Sequence, residues 1–254
     1  MKKIIASSLL SLVAATSLTA EGIVPLMDLG INLGYNIPQA SGYINYQGTG
    51  YRTNTVLSSD PDKQLIGGIY LEHPIPLVPN IAINYLPIRL NTASTITVTG
   101  GGHSFTGGLG TSKITLDSID LSLYYNAKIP FSDLIKLRAG LTGKILTPEI
   151  TTTEIASGNI EAKKTSAIIP MGHLGATVNI PFIGIGAHAD YKYIGLNGHR
   201  LSDATFKADY KIPMIPGLKA EAGYRVMKLK LDDLGGFTSD ATLKGFFAGV
   251  AFVF

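Results

Sequence analysis

The chain has 254 residues and a formal net charge of +3, and it contains neither Cys nor Trp. Charged residues make up only 15% of it, well below the share typical of soluble domains, and the basic residues form no block that would indicate binding to nucleic acid. Without Cys, an exported chain has no disulfides, so its fold must be stable without them.

The first twenty residues have the pattern of a cleavable secretory signal. Lys2 and Lys3 form a charged start, residues 4–13 are mainly apolar, and small residues follow up to Ala20. The apolar run is too short to cross a bilayer comfortably as a helix. We therefore predict cleavage after Ala20 and one domain over residues 21–254.

The rest of the chain has the pattern of β-strands. It contains no run of eighteen apolar residues, so no transmembrane helix is predicted. Apolar and polar residues alternate instead, and four Pro-containing turns separate the alternating runs. Short turns that alternate with longer polar loops are typical of an outer-membrane barrel, with the turns on the periplasmic side. The turns lie at residues 73–76, 129–131, 180–182 and 212–217.

Four turns, with both termini on the same side, predict an all-β, transmembrane, antiparallel up-and-down barrel of ten strands. Eight or twelve strands are the alternatives. The predicted strands cover residues 26–36, 63–73, 80–91, 113–129, 135–147, 164–179, 183–195, 202–212, 218–230 and 240–254.

The two faces of these strands differ in polarity. One face is apolar, carries no charge and has Tyr residues near the strand ends, as expected for a face in contact with lipid. The other face is polar and is predicted to line the lumen, where charged groups must pair or hold water. The predicted lumen charge network consists of Asp120, Lys136, Arg138, His188, Asp190, Lys192, Lys207, Asp209, Lys219, Glu221 and Arg225.

Three functions are compatible with this pattern. A salt-bridged plug would fill the lumen and stiffen the wall, whereas a modest excess of bases could line a narrow, weakly anion-preferring pore. A surface adhesin or receptor would act through long external loops at residues 37–62 and 92–112. We expect the first or second of these functions, with the adhesin as the alternative.

An enzyme is a remote alternative. Some ten-stranded barrels are proteases with acidic residues and a His at the outer rim, and Asp60, Asp62, His199 and Asp203 could lie near such a rim. A second acidic pair is not evident, and the His residues lack the spacing of metal ligands. We therefore predict no enzymatic activity, no cofactor and no metal site.

The end of the chain has a distinct pattern. Phe246, Val250, Phe252 and Phe254 share one face of the last strand. An alternating apolar strand that ends on Phe resembles the signal that barrel-insertion machinery reads. We therefore predict that these four residues direct assembly.

The C-terminal stretch also resembles a family of outer-membrane β-barrel proteins named for a Gly-Gly motif. The resemblance rests on residues 223–225, on 231–236, which include Gly235-Gly236, and on 243–254. It implies a location and a fold and no site residues. More distantly, the layout is similar to the OmpA-like and OmpW-like small barrels.

Together these patterns predict a monomer in the outer membrane of a Gram-negative bacterium. Its expected partners are outer-membrane lipid and lipopolysaccharide. During biogenesis we also expect periplasmic chaperones and the barrel-assembly machinery.

Overall fold

The computed structural model describes residues 27–59, 63–102, 104–129, 132–180, 182–196 and 198–254. The predicted signal lies outside these residues. Every regular element in these ranges is a β-strand. They contain no helix that is long and apolar enough to cross a membrane. The strands are β1 (Asp28–Gly48), β2 (Tyr51–Ser59), β3 (Gln64–Glu72), β4 (Asn80–Val98), β5 (Gly108–Ile129), β6 (Ser132–Glu154), β7 (Ile160–Lys164), β8 (Ala167–Ile180), β9 (Ile185–Leu196), β10 (His199–Lys211), β11 (Leu218–Leu234) and β12 (Phe237–Val253).

The strands form a closed antiparallel barrel. Closure comes from β1, which pairs with β12 in continuous register from Gly30 opposite Val253 to Tyr46 opposite Phe237. β2 and β3 pair with successive parts of the other edge of β1, and β7 and β8 share one edge of β6 in the same way. The twelve described strands therefore occupy ten positions around the barrel, which confirms the predicted strand number and fold class.

The predicted strand bounds are correct near the turns and wrong at the opposite end of the barrel. β1 continues to Gly48, β4 to Val98 and β6 to Glu154, each well beyond its predicted end. Most of the described residues in the predicted external loops 37–62 and 92–112 therefore belong to strands that join in hairpins. The alternation does continue there, but with reversed polarity.

The half of the barrel that contains the termini and the short turns has an apolar outer face. We call it the membrane half. Its lipid-facing belt consists of large apolar side chains that are 38–71% exposed in the isolated chain. The main members of the belt are Leu29, Leu33, Tyr35, Ile37, Leu65, Ile69, Ile81, Ile83, Tyr85, Ile119, Leu121, Leu123, Tyr125, Leu137, Leu141, Leu174, Val178, Ile185, Tyr191, Tyr193, Phe206, Tyr210, Phe246 and Val250.

In the other half, which we call the distal half, the polarity of the inner and outer faces is reversed. Its outer face is mostly polar, whereas its interior is filled by an apolar core of seventeen residues that are each no more than 5% exposed. The core consists of Ile44, Leu57, Leu86, Ile88, Leu90, Ile114, Leu116, Leu146, Ile150, Met171, Leu201, Met227, Leu229, Leu231, Phe237, Ala241 and Leu243.

The inward face changes character within two residues on most strands. On β4 the change falls between Asn84 and Leu86, and on β10 it falls between Asp203 and Leu201. Side chains alternate with a period of two along a strand, so the same inward series passes directly from polar to apolar. The fold is thus a transmembrane barrel continued by a barrel that has the inside and outside of a soluble protein.

Candidate functional site

Five charged residues separate the apolar core from the polar lumen. We call them the charged layer: Asp120 on β5, Lys144 on β6, Lys192 on β9, Asp203 on β10 and Arg225 on β11. All but Asp120 stand next to the first inward apolar residue of their strand. On β5, the buried Ser118 lies between Asp120 and Leu116. The site is therefore a consequence of strand register, because neighbouring strands end their polar stretches at a similar level.

Lys144 lies at the centre of the charged layer. Its side chain is 0% exposed, and its Nζ lies 2.5 Å from Asp120 Oδ1 and 3.1 Å from Asp203 Oδ2. Lys144 also donates a hydrogen bond of 3.1 Å to Ser118 Oγ. One ammonium group thereby bridges two carboxylates that would otherwise repel each other.

Arg225 and Lys192 complete the charge balance of the layer. The guanidinium of Arg225 makes two hydrogen bonds to Asp203. Its Nε lies 2.7 Å from Oδ1, and its Nη2 donates to Oδ2. Lys192 Nζ lies 2.7 Å from the remaining oxygen of Asp120. Two carboxylates and three cations are thus locked in contact, and bidentate pairing makes the Arg225–Asp203 contact the most directional one.

A second cluster lies below this layer, toward the turns. Arg138 Nη1 is 2.7 Å from Asp190 Oδ1, and His173 Nε2 lies 2.9 Å from the same oxygen. Lys136 Nζ is 3.0 Å from Glu72 Oε2. The two bases of β6 therefore reach carboxylates on β9 and β3, strands that are not adjacent to β6 in the sheet.

A third cluster lies nearer the open end. His188 bonds to Asp209, and Lys219 Nζ lies 3.3 Å from the second oxygen of Asp209. Lys207 Nζ lies 2.5 Å from Glu221 Oε1. All eleven residues of the predicted lumen charge network line the interior, and each has a partner of opposite charge or a His–carboxylate contact.

These clusters surround a cavity of about 980 Å³ in the membrane half. Its roof includes Asp120, Asp203 and Arg225, and its lining reaches Pro216 and Phe254 at the end with the turns. Above the roof, the apolar core fills the distal half. The lumen is therefore a polar cup with one open end.

Four ionisable residues of these clusters are missing from the predicted network. Lys144, Glu72 and His173 lie on the predicted inward face but were not included in it. Asp203 was expected near a rim, yet it lies inside the barrel and is only 2% exposed. The strict alternation of Leu201, Asp203 and Thr205 on β10 was the signal that could have found it.

The residues suggested for a rim protease do not come together in the described chain. Asp203 is engaged by Arg225 and Lys144, and His199 Nδ1 accepts a hydrogen bond of 3.2 Å from the Asp232 amide. Asp60 and Asp62 lie outside the described residues.

The distal tip contains two carboxylates that hold a loop. Glu154 accepts hydrogen bonds from the amides of Thr106, at 3.0 Å, and Gly107, at 2.6 Å, and also one from the Ser157 hydroxyl. The Ser157 hydroxyl and these amides lower the pKa of Glu154. Glu161 accepts a hydrogen bond of 2.9 Å from the Ser104 amide. Partial burial would raise the pKa of Glu161, but this bond and the Tyr51 hydroxyl outweigh it and lower the pKa.

Three of the predicted assembly residues, Phe246, Val250 and Phe252, share the outward face of β12, whereas Phe254 follows the strand at the mouth of the cavity. Phe246 is 71% exposed and Val250 is 48% exposed. The rings of Phe252 and Phe254 are 4.7 Å apart, and the Phe254 amide donates a hydrogen bond of 2.9 Å to the Leu29 carbonyl. Phe254 therefore connects the start of β1 to the end of β12 at the barrel seam.

No protein-family model matches this chain, and no curated protein matches it. The resemblance to the Gly-Gly family therefore stays a prediction.

Solved structures of outer-membrane β-barrels do resemble the chain. Ail, the attachment invasion locus protein of Yersinia pestis, in complex with sucrose octasulfate, has a TM-score of 0.39 and 10% identity, covering 90% of this chain and 99% of Ail. The translocator domain of the autotransporter NalP from Neisseria meningitidis has a TM-score of 0.40 and 14% identity, covering 100% and 97% of the two chains. An anion-selective porin from Comamonas acidovorans has a TM-score of 0.29 and 8% identity, covering 89% and 98%. Similarities this remote carry no argument about what the chain does.

Proposed function

We propose that this chain is a sealed β-barrel of the outer membrane of a Gram-negative bacterium, with a structural role and no open path through its lumen. The observation that carries the proposal is the apolar core of the distal half, whose seventeen residues are at most 5% exposed. Closely packed aliphatic side chains leave no room for water or ions, because protein interiors are packed as densely as organic crystals. A pore would need a continuous polar path.

The location follows from the outer face and the layout. The lipid-facing belt carries no charge among its main members, and Tyr residues occur toward its margins, as in the aromatic girdles of outer-membrane barrels. The short turns and both described chain ends lie at one end, which is the periplasmic end in this class. On this orientation the distal half projects outward and the polar cup opens to the periplasm.

The lumen charges support a stiffening role over anion selectivity. Each base of the predicted network contacts a carboxylate, for example Arg138 with Asp190 and Lys207 with Glu221. A base that is already neutralised attracts anions weakly. Lys207 and Glu221 link the adjacent strands β10 and β11, and Arg138 and Asp190 link β6 to β9 across β8, so the pairs resist shear of the wall.

Chloride efflux from liposomes tests the sealed barrel. Liposomes that contain the refolded chain should lose chloride no faster than protein-free liposomes. A variant with Leu116→Ser and Leu229→Ser places hydroxyls in the core and should increase efflux. The matched control, Val56→Ser with Ile168→Ser, changes exposed apolar residues of the same half and should not increase chloride efflux. Rapid efflux with the unaltered chain would contradict the proposal.

A surface-binding role is the second candidate, and the ordered tip favours it. Glu154 and Glu161 fix the loop that follows β4 through the Thr106, Gly107 and Ser104 amides. A rigid loop loses less conformational entropy when it binds a partner. Cells that express the chain with residues 104–107 replaced by Gly-Ser repeats should then lose adhesion while the barrel still folds. Unchanged adhesion would count against this role.

A further inference from the structure

The outer surface of β9–β12 carries a recess within the lipid-facing belt. Alanines stand directly opposite one another across these four strands: Ala187 faces Ala208, Ala208 faces Ala222, and Ala222 faces Ala248. Bulky residues surround this row, so the wall is indented by a groove of about 1280 Å³.

Aromatic residues form the edge of the groove toward the distal half. Phe206 stands opposite Tyr224, and Tyr224 stands opposite Phe246, at a ring distance of 4.7 Å for the second pair. All three side chains also line the groove. The recess therefore has an apolar floor and an aromatic wall.

Four cations lie on the same strands, just beyond the aromatic wall. Lys244 comes two residues before Phe246, Lys228 and Lys230 follow Tyr224 on β11, and Arg200 stands opposite Lys230. All four side chains are on the outward face and exposed. Among the described residues no ion pair involves them, whereas other outer-face charges such as Arg89 and Lys164 have carboxylate partners.

The nearest outward acids lie level with Lys230 or farther toward the tip. Asp240 is opposite Lys230, and Asp232 follows Lys230 by two residues on β11. Lys244 and Lys228 are therefore the first charges above the belt, at the level where lipid headgroups meet the aqueous phase. Lys230 and Arg200 follow at the level of Asp240. We call Arg200, Lys228, Lys230 and Lys244 the basic cluster.

We propose that the alanine groove and the basic cluster together form a binding site for a phosphorylated lipid of the outer leaflet. An acyl chain would fill the groove against Phe206, Tyr224 and Phe246, and the phosphates would contact the basic cluster. The dimensions agree, because four strands at about 4.8 Å spacing, together with their margins, accommodate most of an acyl chain. Charge complementarity selects an anionic headgroup over a zwitterionic one. The inference rests on the outer-membrane orientation proposed above but not on whether the lumen is sealed.

Native mass spectrometry of the refolded full chain in detergent tests this site, with diphosphoryl lipid A as the probe. Phosphatidylcholine and inorganic phosphate serve as comparison ligands. We expect lipid A to bind at least about tenfold more tightly than phosphatidylcholine, because each cation near an anionic surface contributes to binding. Equal binding of both lipids would overturn the proposal, and so would displacement of lipid A by inorganic phosphate at an equal concentration.

Two variants separate the parts of the site. Replacing Lys228, Lys230 and Lys244 together by Ser should weaken lipid A binding at least about tenfold. Ala222→Phe should fill the groove and also weaken it. The matched control replaces Arg52, Lys113 and Lys163 by Ser, because these are exposed cations of the distal half elsewhere on the wall.

The control variant should bind lipid A normally, and a heat-dependent gel shift should show that all the variants are folded. If only the lysine variant lost lipid A binding and Ala222→Phe did not, the two-part site would be overturned, because surface charge attraction alone would explain the binding. Equal loss with the control variant would overturn it as well. Chloride efflux measures the sealed lumen separately, so the two proposals can fail independently.

Discussion

Lys144 and Asp203 are joined inside the barrel at 3.1 Å, on strands that are not neighbours in the sheet. Neither side chain is more than 2% exposed. Their contact crosses the lumen from β6 to β10, directly beneath the apolar core. The barrel is thus tied across its interior as well as around its wall, and this tie closes the polar cup.

Lys144→Met should strongly destabilise the barrel. It removes one cation from a buried cluster and leaves Asp120 and Asp203 facing each other with fewer partners. Breaking a buried pair in this way costs roughly 3–5 kcal/mol. Urea unfolding from lipid vesicles measures the change in free energy. Lys164→Met is the control, because Lys164 and its partner Glu149 are 63% and 39% exposed, and this change should cost no more than about 1 kcal/mol. Equal losses would contradict a special role for Lys144.

Arg225 and Asp203 should be energetically coupled. A double-mutant cycle with Arg225→Gln and Asp203→Asn should give a coupling free energy of roughly 1–3 kcal/mol in the same unfolding assay. The comparison cycle uses Arg89→Gln and Asp117→Asn, because that pair is 3.5 Å apart and its side chains are 46% and 35% exposed. Its coupling should be near zero. Additive effects at Arg225 and Asp203 would show that their contact contributes no specific stability.

Acid should release the distal loop through Glu154. The folded pKa of Glu154 lies below its ordinary value of 4.5, so only the ionised form is well bound by the Ser157 hydroxyl and the Thr106 and Gly107 amides. The stabilisation is therefore complete above that ordinary value and is lost as the pH falls through the folded pKa. Hydrogen exchange at these two amides, corrected for intrinsic rates, should show protection at pH 6 that disappears on acidification.

Glu154→Gln should remove this pH dependence and leave the loop less protected at pH 6. Glu149→Gln is the matched control, since Glu149 is partly exposed and contacts only Lys164 among the described ion pairs. The Glu149→Gln variant should show the same pH dependence of amide protection as the unaltered chain. Protection that is independent of pH in the unaltered chain would contradict the role of Glu154.

Deleting Phe254 should impair assembly. The residue directly follows β12 and bonds to Leu29 at the seam, so its loss removes both part of the predicted insertion signal and one closing contact. Fractionated cells should then contain the truncated chain in the periplasm. Phe254→Tyr keeps the aromatic ring and should reach the membrane normally. Normal outer-membrane levels of the truncated chain would refute the insertion-signal hypothesis.

The membrane half could be predicted from sequence because its outward residues are apolar and its inward residues are polar. Residues such as Ile119, Leu121 and Leu123 are apolar and face lipid, while Asp120 between them faces the lumen. In the distal half the outward residues are mostly polar and the inward residues are apolar, so the polar outward residues of β1 beyond Pro38 were interpreted as a loop. Composition alone cannot distinguish a polar loop from a strand whose outer face meets water, and the inward Ile44 was the only strong apolar signal there.

The candidate site was predictable as a set of inward charges but not as a set of contacts. Alternation places Asp190 and Arg138 on the lumen wall, yet their pairing depends on the register between β6, β8 and β9. The contact between Lys144 and Asp203 crosses the lumen and depends on the barrel radius. The apolar core above them forms only if all the strands extend far enough, and no local sequence pattern defines those strand lengths.

Single-channel conductance of the refolded chain in a planar lipid bilayer tests the central claim most directly. With folding verified by the heat-dependent gel shift, the sealed barrel predicts a silent membrane over a wide range of voltage. Discrete current steps that change in size with Arg138→Ala or Arg225→Ala would contradict it, because they would place these residues along a conducting path.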